Sequence, residues 1–290
     1  MAYVVPNVVH LIKTDDRPVA RFLFLNILSI LHNLSPSAVY FHVSSPPYGL
    51  FWNLTQLYDS PRRVVVAPIK AELYKLIDRP VAPRFRPEWA EAHQSDIIRM
   101  NILKSTGGIY LDTDVLVLRS FDELRRSELT MGLQTLSKIC NGVILASAKS
   151  KFLNDWYLGL LNASFTDCWD CHSIELPSKL WEKWKMKKES NNHHSNDSMI
   201  NIVPLEAFYD PSFSRSDLHE LFREPRESQT RRLIPPYSGK YAVHLWNRVP
   251  TSARYLQRHR LDDICHGRSF YNEILRFALN GSEFLSRFCV

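Results

Sequence analysis

The stretch of sequence that decides the fold spans residues 89–118 and reads WAEAHQSDIIRMNILKSTGGIYLDTDVLVL. Its first half places apolar residues at helical spacing, and the pattern ends at Thr106-Gly107-Gly108, where glycine is a common helix terminator. Two short apolar runs follow, residues 109–111 and 115–118, and both are typical of buried strands. The stretch therefore predicts a helix, a double glycine and two strands separated by Asp112-Thr113-Asp114.

Strand and helix patterns also alternate along the rest of the chain. Such alternation is typical of an α/β fold, in which a mainly parallel, twisted sheet is flanked by helices. We treat residues 1–290 as a single domain, in which residues 80–87 are expected to form a surface loop and residues 186–198 a mobile insertion. Further strands are predicted at Asn7–Lys13, Val39–Val43, Arg63–Ala67, Gly142–Ala146 and Tyr241–Trp246, and further helices at Pro18–Asn33, Phe152–Leu161 and Ser269–Phe288.

The composition excludes several classes of protein. Of the 290 residues, 45% are hydrophobic and 23% are charged, which is typical of a folded globular chain and not of a disordered or coiled-coil one. The longest apolar stretch, residues 22–34, is too short to cross a bilayer, and the N-terminus lacks the pattern of a signal peptide. We therefore expect a chain that is either intracellular or without its leader. The net charge of +6 suits an anionic partner, which could be nucleic acid, a membrane surface or a phosphorylated small molecule.

Two further patterns have competing interpretations. The segment Cys168-Trp169-Asp170-Cys171-His172, together with Cys265-His266, could supply zinc ligands, but free thiols or a disulfide are the simpler interpretation of a lone C-x-x-C. The five cysteines are too sparse for a disulfide framework, and one or two bridges stay open. Residues 181–188 mix lysines with two tryptophans, as a nucleic-acid surface would, although a solvated helix face is the commoner explanation.

The acidic pair Asp112 and Asp114 falls where a predicted strand ends. Residues i and i+2 of an extended segment project to the same side, so both carboxylates can face one divalent cation. In open α/β sheets the ligand crevice lies at this edge of the sheet. Asp96 and Arg99, one helical turn apart, can form a pair that faces the same crevice. The simpler interpretations are two turn residues that bond to the backbone and an ordinary ion pair within a helix.

This combination resembles a known signature. Residues 95–99 followed by residues 107–114 are similar to the signature of glycosyltransferases with a sugar-binding DXD region, a family 32-like group. The group holds α-1,4-galactosyltransferases, α-1,4-N-acetylglucosaminyltransferases and Och-type mannosyltransferases. Looser matches are residues 6–12 with the opening strand of the family, residues 140–143 with its Asn-Gly strand, and residues 243–246 with its His-x-Trp.

The resemblance implies a GT-A fold and a hexosyltransferase of the EC 2.4 class, which uses a nucleotide sugar and manganese or magnesium. A UDP-sugar is the expected donor, with GDP-mannose as the alternative. By family analogy Asp114 would bind the metal, Asp112 would contact both ribose and metal, and Asp96 would act beside them as a third catalytic residue. His244 would be a further ligand of the metal or the diphosphate, unless it is an ordinary core histidine. The other residues expected to contact the donor are His10, Ile12, Arg99, Gly108, Tyr110, Asn141 and Trp246.

The resemblance also bears on mechanism, partners and location. It implies a retaining transferase, a glycan, glycolipid or protein acceptor, and no nucleic-acid partner. The Trp and Ser-x-x-x-Pro of the family match Trp169, Ser173 and Pro177, which implies a structural segment on the acceptor side. Relatives in the Golgi are membrane-anchored, so we expect a Golgi protein without its anchor, with a cytoplasmic one as the alternative. A second class of function is a non-catalytic protein that binds a nucleotide sugar or a glycan on the same fold.

Overall fold

The computed structural model describes residues 2–59, 62–74, 90–162, 168–190, 200–225 and 239–289. The strands are β1 (Val8–Lys13), β2 (Ala38–Val43), β3 (Val64–Pro68), β4 (Gly108–Leu111), β5 (Val115–Val117), β6 (Leu129–Thr135), β7 (Lys138–Ala146), β8 (Ile200–Val203) and β9 (Ala242–His244). The helices are α1 (Arg21–Leu34), α2 (Leu50–Tyr58), α3 (Ala90–Thr106), α4 (Lys151–Asn162), α5 (Leu176–Ser190), α6 (Arg215–Phe222), α7 (Pro250–Arg258), α8 (Asp262–His266), α9 (Phe270–Ala278) and α10 (Glu283–Phe288).

A seven-stranded sheet with the order β3-β2-β1-β4-β7-β6-β8 forms the centre of the described fold. Strand β1 runs parallel to β2 and β4, β2 to β3, and β6 to β8, whereas β7 is antiparallel to its neighbours β4 and β6. Strands β5 and β9 pair antiparallel in a separate two-stranded sheet. The predicted fold class, α/β with a mainly parallel sheet flanked by helices, is confirmed.

Side chains of the central strands alternate between two hydrophobic clusters, because successive residues of a strand point to opposite faces of the sheet. In β4, Ile109 and Leu111 join the first cluster and Tyr110 the second. Residues from α1, α6, α7 and α9 complete the first cluster, and residues from α3, α4 and α5 complete the second. Both faces of the sheet are therefore covered, which explains why β4 is apolar throughout and shows no polar alternation.

The double glycine after α3 is a steric requirement. Gly107 and Gly108 have φ values of 65° and 118°, a region that L-residues with a side chain rarely adopt. A Cβ atom on Gly108 would lie 2.8 Å from the carbonyl oxygen of Val8 in β1. The glycines thus let the chain leave α3 and enter β4 directly beside β1.

Two sequence predictions need correction. The helix predicted over residues 269–288 is two helices, α9 and α10, because Gly281 between them has a φ of 78°. Residues 186–190, predicted as part of a mobile insertion, continue α5, since lysine and glutamate favour helices even in a hydrophilic segment. The rest of that insertion, residues 191–198, and the predicted loop at residues 80–87 lie outside the described residues. The single domain over residues 1–290 stays a prediction.

Contacts within the described residues bear on two remaining alternatives. Disulfides join Cys168 to Cys171 and Cys265 to Cys289, so these thiols are not zinc ligands. Trp184 packs edge-on against Phe152 in the second cluster, whereas Lys183 on the same helix is exposed, which favours the solvated helix face. Within the described ranges, no helix combines the length and the apolar character needed to cross a membrane.

Candidate active site

The turn that carries Asp112 and Asp114 is fixed by three neighbouring elements. The backbone N–H of Asp112 donates to the carbonyl of Gly142 in β7 at 2.8 Å, and that of Val115 donates to the carbonyl of Asp112 at 3.1 Å. The side chain of Asn26 on α1 donates through Nδ2 to the carbonyl of Thr113 at 2.9 Å. Asn26 was missed as a site residue, although a polar side chain within an apolar helix was the available signal.

His244 reaches the two carboxylates because β9 pairs with β5. The pairing sets His244 opposite Val115, and its Nε2 lies 3.4 Å from Oδ2 of Asp112 and 3.5 Å from Oδ1 of Asp114. One ligand atom from each of these three residues lies within 4.8 Å of the other two. The sequence-predicted metal ligands therefore converge on one point, at the end of β4.

Trp246, two residues further along the chain, contacts the imidazole of His244. The backbone N–H of Trp246 donates to Nδ1 of His244 at 3.2 Å, and the two rings lie 4.2 Å apart. Burial lowers the pKa of His244, but the charges of Asp114 and Asp112 outweigh it and the pKa is raised. The backbone N–H of Asn247 donates to Oδ2 of Asp114 at 2.6 Å. His244 thus faces both carboxylates through Nε2.

Arg99 links Asp96 to Asp112. Its Nη2 lies 3.3 Å from Oδ1 of each carboxylate, and its Nη1 donates to the carbonyl of Asn141 at 2.8 Å. The guanidinium lies over the ring of Tyr110, 4.3 Å from its centroid. Arg99 is only 5% exposed, so its charge acts in a region of low dielectric. The structure therefore pairs Asp96 with Arg99 as the sequence predicts, and extends the pair to the acidic turn.

The two carboxylates that share Arg99 titrate differently. Burial alone would raise the pKa of Asp112, but the charge of Arg99 and hydrogen bonds from His244 and Tyr110 outweigh it, and the pKa is lowered. For Asp96 burial prevails over the charge of Arg99 and the hydrogen bond from Asn141, so its pKa is raised. Burial also raises the pKa of Tyr110, which stays protonated and donates to Oδ1 of Asp112 at 2.6 Å.

The Asn141-Gly142 pair in β7 contacts both Asp96 and the group formed by Asp112 and His244. Nδ2 of Asn141 donates to Oδ1 of Asp96 at 2.8 Å. A Cβ atom on Gly142 would lie 3.0 Å from Oδ2 of Asp112 and 3.1 Å from the ring of His244. Gly142 therefore provides the space in which carboxylate and imidazole meet. Its role was missed, although a glycine inside a strand is a known signal of close approach.

Trp246 is anchored to a segment that carries an ion pair, which sequence reasoning also missed. Its Nε1 donates to the carbonyl of Pro211 at 2.9 Å, and its φ of 54° is left-handed. Next to Pro211, Asp210 accepts hydrogen bonds from Lys240, whose side chain is 1% exposed. The ion pair thus stabilises the segment that accepts the hydrogen bond from Trp246. Trp246 in turn contacts His244.

Three further residues were predicted to contact the donor. His10 bonds through Nε2 to the carbonyl of Gly107 at 3.1 Å and through Nδ1 to His42 at 3.1 Å. Gly108 packs against His10 at the start of β4, about 13 Å of extended chain from Asp112. Ile12 is buried in the second hydrophobic cluster. The structure does not bring His10 or Gly108 to the carboxylates, and a role in donor binding stays a prediction for all three.

Comparison with known proteins finds a family model that matches part of this chain. The family described as "Glycosyltransferase sugar-binding region containing DXD motif" matches residues 56–130. This range contains Asp96, Arg99 and the turn at residues 112–114, whereas Asn141 and His244 lie beyond it.

Curated proteins match over longer ranges. "Glucan organizing enzyme 1" of Cryptococcus neoformans var. grubii is 24% identical over 291 residues, which cover 94% of this chain and 70% of that protein. "Lactosylceramide 4-alpha-galactosyltransferase" of Homo sapiens is 27% identical over 166 residues, which cover 56% of this chain and 43% of that protein. This chain therefore spans less than half the length of the human relative.

Solved structures of glycosyltransferases are distantly similar. "PaToxG Glycosyltransferase" is 15% identical with a TM-score of 0.48, over 64% of this chain and 72% of that one. The galactosyltransferase LgtC, with donor and acceptor sugar analogs, is 12% identical with a TM-score of 0.38, over 97% and 99%. These likenesses are too weak to add to the sequence matches. Over residues 56–130 the chain is similar to the glycosyltransferases that carry a sugar-binding region containing the DXD motif, and the described fold is of the α/β class.

Proposed function

We propose that this chain is a metal-dependent, retaining transferase that moves a hexose or N-acetylhexosamine from a nucleotide sugar to a glycan, lipid or protein acceptor. The observation that carries the proposal is the convergence of Asp112, Asp114 and His244 beside Arg99. The name of the human relative describes galactosyl transfer to lactosylceramide. It supports UDP-galactose as the first donor to test, before UDP-N-acetylglucosamine and GDP-mannose.

The three residues suit a divalent cation such as Mn²⁺ or Mg²⁺. Carboxylate oxygens are ligands of both ions, and imidazole favours the transition metal. Asp112, Asp114 and His244 would hold the ion, with Nε2 of His244 unprotonated and the remaining ring proton on Nδ1, where it would replace the hydrogen bond accepted from Trp246. When bound, the cation neutralises charge on the departing diphosphate.

The surrounding side chains keep the donor pocket in the required charge state. Arg99 and Tyr110 hold Asp112 as a carboxylate, because both stabilise its charged form. The raised pKa of Asp96 makes its protonated form more accessible, so the carboxyl can donate a hydrogen bond to a sugar hydroxyl as well as accept one. Trp246 closes one wall of the pocket behind His244.

Retention of configuration has to be explained without an obvious nucleophile. Asn141 carries an amide, which cannot act as a base. We therefore propose that the acceptor hydroxyl attacks the face from which the diphosphate leaves, and that the diphosphate takes the proton. Single substitutions of carboxylates other than Asp96, Asp112 and Asp114 are expected to spare the chemistry. A covalent sugar trapped on another aspartate or glutamate would contradict this mechanism.

A donor screen tests the proposed function. Purified protein is incubated with each of the three nucleotide sugars, with and without Mn²⁺, and release of free nucleotide is measured without acceptor. An enzyme releases nucleotide slowly and only with the ion, and the Asp114→Asn variant does not. Binding of a donor without any release would identify a non-catalytic nucleotide-sugar-binding protein instead.

Location follows from the same proposal. The bridges Cys168–Cys171 and Cys265–Cys289 are typical of oxidising compartments, which supports the Golgi over the cytoplasm. Membrane association through an N-terminal anchor belongs to the same proposal. Thiol labelling of the protein in a cell extract tests it: bridged cysteines resist labelling, and full labelling of Cys265 and Cys289 would favour the cytoplasm.

A further inference from the structure

Trp169 differs from the other tryptophans in the described part of the chain. Its side chain is 41% exposed, whereas Trp52, Trp156 and Trp246 are buried and Trp181 and Trp184 are half-buried. Tryptophan is usually well buried, so exposure of so large an apolar ring requires a reason. Trp169 also lies on a turn closed by the disulfide between Cys168 and Cys171, which restrains the backbone that carries the exposed ring.

The turn is fastened to the helix that carries Asp96. Nε2 of His93 lies 3.2 Å from the carbonyl oxygen of Trp169, and the rings of these two residues lie 5.9 Å apart. His93 precedes Asp96 by three residues on α3, so both side chains lie on one face of the helix. Trp169 therefore lies one helical turn from the carboxyl proposed to hold the donor sugar.

Arg248 connects Trp169 to the segment that follows β9 and to α3. Its guanidinium lies 5.8 Å from the centre of the Trp169 ring, and its Nη2 lies 3.8 Å from a carboxylate oxygen of Glu91. The residue before Arg248 is Asn247, whose backbone N–H donates to Asp114. The exposed indole thus lies between α3, which carries Asp96, and the segment at residues 247–248, which bonds to Asp114.

The chemistry around the indole suits a sugar ring. A pyranose has a face of C–H groups that packs on an aromatic ring, and hydroxyls at its edge that bond to charged groups. Glu91 and Arg248, about half exposed, stand beside the indole with charged groups of both signs. A lipid tail would need a wider apolar surface without charges. Donor contacts belong to the buried cluster further in, which leaves this rim for the acceptor.

We propose that Trp169 is an acceptor subsite, on which a pyranose ring of a saccharide acceptor stacks while Arg248 and Glu91 bond its hydroxyls. The inference rests on the proposed transferase function and adds a substrate class to it. In this proposal Trp169 contacts the substrate directly. The sequence resemblance implies only that Trp169 belongs to a structural segment on the acceptor side.

Saccharide binding tests the inference independently of turnover. Binding of lactose, laminaribiose and methyl α-mannoside in the presence of UDP and Mn²⁺ is followed by saturation-transfer NMR for wild type, Trp169→Ala and Trp169→Phe. Wild type is expected to bind at least one of them, Trp169→Ala to bind it about tenfold or more weakly, and Trp169→Phe to retain most of the affinity. If transfer to that saccharide occurs, the Ala variant is expected to raise the acceptor KM and leave the donor KM and acceptor-free nucleotide release unchanged.

A matched variant separates stacking from a general effect. Phe277 on α9 has an exposed ring of similar accessibility, 36%, and Phe277→Ala is expected to bind the saccharide like wild type. Equal saccharide affinity in wild type and a folded Trp169→Ala overturns the inference, as does a wild type that binds none of the three sugars. Failure of the proposed function is a different result, namely no nucleotide release from any donor.

Discussion

Two clusters of polar side chains lie near opposite ends of β4, and they differ in how their ionisable groups are compensated. Near the start of β4, His10 bonds to His42 and to the carbonyl of Gly107, and burial lowers the pKa of each histidine to about 4. At the end of β4, the half-buried Asp112 keeps its charge, because Arg99 lies 3.3 Å away. One cluster is neutral and the other is charged.

The difference shows which cluster can take a ligand. Burying an uncompensated charge costs several kcal/mol, so a protein normally neutralises or pairs buried ionisable groups. His10 and His42 are neutral, and they hydrogen-bond to each other and to the carbonyl of Gly107. In the carboxylate cluster Asp96 and Asp112 share a single cation, Arg99, and Asp114 faces the titratable ring of His244. A divalent cation bound between these carboxylates would neutralise their negative charge.

The largest effect is expected from Asp114→Asn. The variant keeps an oxygen that can accept the hydrogen bond from the backbone of Asn247, but removes a charge from the carboxylate cluster. Nucleotide release is expected to fall on the order of a thousandfold, with weaker Mn²⁺ binding. Steady-state release assays and Mn²⁺ titrations by EPR measure both. Normal ion affinity in a folded variant would show that Asp114 is not a ligand.

A smaller loss is expected from Gly142→Ala, because the new methyl group meets both Asp112 and His244. We expect kcat for nucleotide release to fall about a hundredfold, with a loss of about 1–3 kcal/mol in the free energy of unfolding. Gly159→Ala is the matched control, since its methyl group would meet the side chain of Leu176 at a similar 3.1 Å. Equal kcat values for the two variants would contradict the role assigned to Gly142.

The ion pair behind Trp246 is tested by Lys240→Met. Loss of the lysine leaves the Asp210 carboxylate without its partner, which is expected to cost about 3–5 kcal/mol of stability. Because Trp246 supports His244, we also expect Mn²⁺ affinity to fall about ten- to a hundredfold. Chemical unfolding and Mn²⁺ titration measure the two effects. A folded variant with lower stability but normal Mn²⁺ affinity would show that the pair supports only the fold.

The smallest effect on activity is expected from His42→Gln, in the neutral cluster. The folded pKa of His42, about 4, lies below the ordinary value of 6.5, so between these values the unfolded chain binds more protons than the folded one. Stability therefore falls as the pH drops through this window, by up to about 3 kcal/mol for one histidine. Urea unfolding at several pH values should show a shallower pH dependence for His42→Gln, with normal nucleotide release. An unchanged pH slope would contradict this account.

The carboxylate cluster was more predictable than the histidine pair for a physical reason. Asp96 with Arg99, and Asp112 with Asp114, are separated by one helical turn or one strand repeat, so local geometry brings each pair together. His10 was assigned to the donor site from resemblance alone. Its partner His42 comes from the neighbouring strand β2, and sequence spacing does not indicate which histidine meets which carbonyl.

By itself the sequence determined the α/β class, the helix and double glycine before β4, and the two carboxylates at its end, because these depend on local spacing and backbone sterics. The tertiary structure decided the rest. His244 reaches Asp112 across 132 residues through the pairing of β9 with β5, and Gly142 leaves them room from a third strand. Those contacts depend on how distant strands pair, and the residue pattern within a single segment does not predict that pairing.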